Sequence, residues 1–119
     1  MKPRILSISY DAALLDTRRM LLEATGYEVT SAIGFAEALE VCDEDFDLVV
    51  MGHSIPSKDK RAIVKELRGH GCLAPVVSLL RIGEKSIPEA SHTADPGDPQ
   101  GMLETIRQIL TERGRTQGA

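Results

Sequence analysis

The segment that most constrains this chain is Phe46 to Pro56, FDLVVMGHSIP. An acidic lead-in, Asp45 and Asp47, runs into the unbroken apolar stretch Leu48-Val49-Val50-Met51, which stops at Gly52-His53-Ser54 and closes on Ile55-Pro56. So short a run, rich in β-branched residues and bounded by turn formers, is the pattern of a strand buried on both faces. Such a strand belongs in the middle of a parallel sheet covered by helices. In those sheets ligands and reacting groups collect just beyond the carboxyl ends of the strands. Positions 52 to 55 are therefore where a site is expected, and they offer a glycine, a histidine and a serine but no carboxylate.

At 119 residues the chain fits one domain, large enough to bury a core without help from metal or disulfide. The expected domain spans residues 1–114, with 115–119 as a flexible tail. A net charge of −4 argues against nonspecific attraction to nucleic acid or anionic membrane. Tyr10, Tyr27, Phe35 and Phe46 are the whole aromatic complement, which leaves little for stacking on bases. Cys42 and Cys72 lack C-x-x-C spacing and read as free thiols of a cytosolic protein. No stretch has the length of a membrane span, and Met1-Lys2-Pro3-Arg4 opens a strand rather than a signal peptide. The expected location is the cytoplasm, with no membrane and no direct nucleic-acid contact.

Along the chain, Arg4 to Ser9 reads as a first strand, and Asp11 caps a helix over Ala12 to Thr25. That helix turns Leu14, Leu15, Met20, Leu21 and Leu22 inward, keeps Arg18, Arg19 and Glu23 outside, and ends at Gly26. Tyr27 to Ala32 alternates as a half-buried strand, and Phe35 to Cys42 forms a second helix. After the central strand, Ser57 to Lys60 reads as a polar loop. A third helix follows from Arg61 to Arg68, burying Ile63, Val64 and Leu67. Pro75 to Leu80 is another doubly buried strand. Arg81 to Ser91 is poor in apolar residues, so a helix there would be short, and His92-Thr93-Ala94 reads as a brief last strand. Asp98-Pro99 opens a final helix, a capping residue followed by proline at the first position. The alternation, with short right-handed crossovers, gives an α/β fold: a doubly wound, five-stranded parallel sheet in the order 2-1-3-4-5, with a shortened or irregular fourth helix.

From Arg4 to Arg113 the chain resembles the receiver domain of bacterial two-component response regulators, the CheY-like fold. The resemblance rests on RILSISYDAALL, EATGYEV, FAEAL, DLVVMGHSIP, APVVSLL and the pair Asp95-Pro96, in that order and at matching separations. It implies phosphoryl transfer to an aspartate, with acids that hold Mg²⁺ and a hydroxyl and a lysine that steady the phosphoryl oxygens. Position by position those roles fail. The paired acids fall on Ser9 and Tyr10, with Asp11 just beyond; the phosphoacceptor falls on Gly52; the hydroxyl falls on Leu80; the lysine falls on Asp95; the aromatic switch position falls on His92. Glycine cannot form an acyl phosphate. Aspartate in place of lysine turns an attraction of about 4 kcal/mol at 4 Å into a repulsion at intermediate dielectric.

The expectation is therefore a pseudo-receiver: a signalling module with no catalytic residues, no metal and no cofactor, acting on protein partners and able to form a homodimer. The shortened fourth helix bears on that dimer, because the family's usual output surface is built around it. Two other readings stay open. One is a phosphorelay receiver with a displaced acceptor, Asp11 or His53. The other is a small-ligand binder in the strand-end crevice. His53 and His92 near Asp11 and Asp95 suggest a metal only weakly, since their spacing is not that of a ligand set. Gly83-Glu84-Lys85-Ser86 lacks the spacing of a phosphate loop, and Ser9, Ser54 and Ser78 lack a nucleophile-elbow pattern.

Overall fold

The computed structural model describes residues 2–118. Five strands form one parallel sheet in the order β2-β1-β3-β4-β5, as the sequence predicts. The strands are β1 (Arg4–Ser9), β2 (Glu28–Ile33), β3 (Leu48–Met51), β4 (Val76–Leu79) and β5 (His92–Ala94). Four helices connect or close them: α1 (Ala12–Thr25), α2 (Gly34–Glu40), α3 (Ser57–Gly69) and α4 (Pro99–Gly118). Residues 115–118, expected as a tail, are included in α4, and Ala119 lies outside the described residues.

The period-two alternation of the central strands splits the core into two layers. Leu6, Ile8, Val49, Met51 and Val76 pack beneath α2 and α3 with Ala38, Ile63, Val64 and Leu67. Ile5, Leu48, Val50, Val77 and Leu79 face the other way, onto Leu22 of α1 and Met102, Ile106 and Ile109 of α4. All residues of β3 and β4 are buried, as the apolar runs at 48–51 and 75–80 predict. The acidic lead-in to β3 anchors that strand at its start. The Asp47 carboxylate accepts from the Arg4 amide at 2.7 Å, and the Arg4 guanidinium donates to the Asp45 carbonyl at 2.9 Å. These bonds fix the start of β3 beside the start of β1.

Three further expectations change. Ser57 to Lys60 is the first turn of α3 rather than a loop, with the Lys60 amide bonded to the Pro56 carbonyl at 2.9 Å. No helix forms between β4 and β5 among the described residues; Leu80 to Ser91 crosses in turns, held to the core by Ile87, which is 4% exposed. A run with Gly83, Pro88 and one buried apolar side chain cannot sustain an amphipathic helix. Third, Arg18 is not on the outer face of α1. It is buried, whereas Met20 is 66% exposed.

Candidate functional site

The carboxyl edge of β1, β3 and β4 is where the fold brings most of the sequence-predicted positions together. Ser9 ends β1, Tyr10 and Asp11 turn into α1, and Gly52 follows β3, its amide donating to the Ile8 carbonyl at 2.9 Å. The Ser9 and Ser54 hydroxyls meet at 3.2 Å, and Ser54 Oγ accepts from the Tyr10 amide at 3.0 Å. Ser9 Oγ also lies 3.0 Å from the Asp11 amide, which donates to it. Hydroxyls thus tie the β1–α1 loop directly to the β3–α3 loop. The Asp11 carboxylate accepts from the Leu14 amide at 3.1 Å, so this acid serves as the N-cap of α1. The Tyr10 phenol donates to Asp59 at 2.8 Å, and burial, then that bond and the nearby charge, push its pKa up to about 12.

The remaining predicted positions contribute less. Leu80 donates its amide to the Ala94 carbonyl at 2.9 Å, and its half-buried aliphatic side chain offers no hydroxyl. Asp95 accepts from the Gly97 amide at 2.8 Å, an Asx turn leading to α4. His92 is exposed on β5, in register with Val77, and stands apart from the cluster.

Two residues that sequence reasoning places in solvent or in a loop dominate the site. Arg18 reaches inward from α1 along the α1/α4 layer, 7% exposed, and donates to Ser7 Oγ and the Ile8 carbonyl, both at 3.4 Å. A Cβ at position 52 would lie 3.3 Å from its guanidinium, 3.2 Å from the Ile8 carbonyl and 3.4 Å from Ser9 Oγ. The Arg18 guanidinium thus lies close against the face of Gly52 that would carry a side chain. From the opposite layer Lys60 of α3, 2% exposed, donates to Ser78 Oγ at 2.8 Å and to the Leu79 carbonyl at 3.2 Å. Burial lowers the pKa of both side chains, since a low dielectric disfavours the charged form. Among the described residues neither forms an ion pair.

His53 stands at the same edge with Nε2 2.9 Å from the Arg81 guanidinium. Arginine can only donate, so Nε2 accepts and the neutral ring carries its proton on Nδ1, which is buried without a partner among the described residues. Burial first, then the Arg81 charge, lowers the His53 pKa. With its lone pair taken, His53 is not free to bind metal, and no group of three or more His, Cys, Asp or Glu side chains gathers to hold an ion among the described residues. The donor set does not fit magnesium either. Mg²⁺ asks for oxygen ligands with strong negative charge, whereas the hydroxyls here bond one another, Asp11 caps a helix and a guanidinium faces position 52. Cys42 and Cys72 are both buried free thiols in the core; burial raises the Cys42 pKa to about 11, leaving it an inert packing residue.

No protein-family model matches the chain. It is 24% identical over 118 residues to a putative transcriptional regulator of Haloferax volcanii, covering 96% of this chain and 20% of that protein. Over 116 residues it is 26% identical to the aerobic respiration control protein ArcA of Escherichia coli K12, covering 92% of this chain and 49% of ArcA. The chain thus spans about half the length of one of these relatives and a fifth of the other. Among solved structures, the receiver domain of the hybrid histidine kinase CckA aligns with TM-score 0.74 at 27% identity, covering 90% of this chain and 98% of that one. The signal receiver domain of an HD-domain-containing protein from Pseudomonas fluorescens Pf-5 aligns at 0.80 with 20% identity, covering 97% and 99%.

Proposed function

With the CheY-like receiver fold as premise, we propose that the chain is a receiver-like signal-transduction module of two-component type that works without phosphorylation, through contact with protein partners. The observation that carries this reading is the Arg18 guanidinium beside Gly52. The phosphoacceptor carboxylate is replaced by hydrogen, and a fixed cation lies against the space that carboxylate would fill. The hydroxyl bonds from Ser54 to Ser9 and Tyr10 support it further, because they join the two loops that a bound metal would otherwise bridge. A module built this way presents one surface to its partners instead of alternating between two.

The test is incubation with acetyl phosphate and Mg²⁺ followed by intact-mass measurement. The mass is expected to stay unchanged. An added phosphate would overturn the reading, and its mapping to Asp11 would establish a displaced-acceptor relay in its place.

A further inference from the structure

Arg18 carries a charge that its surroundings leave uncompensated. A guanidinium has five N–H donors, yet its hydrogen-bond partners among the described residues are a hydroxyl and a carbonyl at 3.4 Å, at the long limit for such bonds. It is buried, and no carboxylate among the described residues pairs with it. Buried charges are ordinarily paired, because desolvation is otherwise uncompensated. The second buried cation of the same edge, Lys60, adds to the local positive charge rather than relieving it. In a chain of net charge −4, the two buried charges at the strand ends are both positive.

Beside Arg18 lies a cavity of about 90 Å³ between α1 and α4. Besides the arginine its walls include Leu14, Leu21, Leu79, Pro99 and Met102, and Leu14 is left 38% exposed at its side. A single bound water needs about 10–15 Å³, so the cavity accommodates several non-hydrogen atoms. Asp95 also borders it, but that carboxylate turns back to the Gly97 amide.

We propose that this cavity is a binding site for a small aliphatic carboxylate, whose two oxygens take the Arg18 fork and whose short tail lies on the apolar walls. The planar guanidinium matches a carboxylate through two parallel bonds. A phosphate would press its further charged oxygens against leucine, proline and methionine and would meet stronger repulsion from Asp95. The inference goes beyond the signalling role: it shares the Arg18 side chain with that reading but concerns the cavity between α1 and α4, and its titration reads carboxylate binding rather than phosphorylation.

The experiment is an amide-shift titration of the whole chain with butyrate, propionate and acetate at constant ionic strength, with inorganic phosphate and chloride as controls. Saturable shifts at Thr17, Arg18 and Leu79, tighter for butyrate than for acetate, are expected in the wild type. In Arg18→Met they are expected to weaken at least about tenfold, while carboxylate no longer raises the thermal midpoint. Arg18→Lys keeps the charge without the fork, and it too is expected to bind more weakly; it serves as the reference should Arg18→Met not fold. The absence of saturable shifts in the wild type overturns the proposal. So does butyrate binding that survives unchanged in either variant, or phosphate or chloride binding as tightly as butyrate.

Discussion

At the scale of single residues, Tyr10 shows how this edge is held. Its phenol occupies a position where the resemblance calls for a metal-binding acid, and it spans to Asp59 on α3 at 2.8 Å. The folded chain keeps the phenolic proton up to about pH 12, whereas the ordinary value is 10.0. Between these values the folded state holds more protons than the unfolded one, so stability falls as pH rises through that window and is unaffected below it. Tyr10→Phe is expected to cost about 1 kcal/mol at neutral pH through the lost bond and to flatten this alkaline decline. Urea unfolding at pH 7 and across the alkaline range checks both; an unchanged decline in the variant would show that Tyr10 is not its source. The Asp11 cap is readable from sequence because it depends on local order alone. Arg18 and Lys60 are harder to place, because charged side chains are so rarely buried that the rule outweighs periodicity. Arg18 stands three after Leu15 and four before Leu22, and Lys60 stands three before Ile63 and four before Val64. Both lie on the apolar stripes of their helices, and that spacing is the signal that could have found them.

At the scale of elements, the strands and the 2-1-3-4-5 order follow from apolar runs and connection lengths. The crossing from β4 to β5 is the least legible part. Its weak pattern excludes a long helix but does not say what replaces one. What replaces it is a turn-rich segment anchored by one apolar side chain, Ile87, and by Ser91, whose amide and hydroxyl both bond the Val76 carbonyl, at 2.9 and 3.0 Å. Ile82, 98% exposed, contributes no packing. Ile87→Ala is accordingly expected to destabilise the chain by about 2–4 kcal/mol and to speed hydrogen exchange over residues 80–91, while Ile82→Ala stays within about 0.5 kcal/mol of the wild type. Equal effects from the two substitutions would mean that the segment is not pinned by Ile87.

At the scale of the whole molecule, the sheet does what doubly wound sheets do: it gathers side chains from both helical layers at its carboxyl edge. Here each layer delivers a buried cation, Arg18 from α1 and Lys60 from α3, on either side of β3, the strand that Gly52 follows. On the proposed reading, these two buried cations leave the edge unsuited to the divalent cation and phosphoryl group that the resembling family holds there. The same reading bears on magnesium binding, on acyl phosphate formation and on any switch that either would drive. A Mg²⁺ titration, with and without beryllofluoride, followed at the amides of Ser9, Gly52 and Ser54, tests this most directly. No saturable change is expected at any of the three; a saturable shift centred on Gly52 would show that the edge still takes the ion.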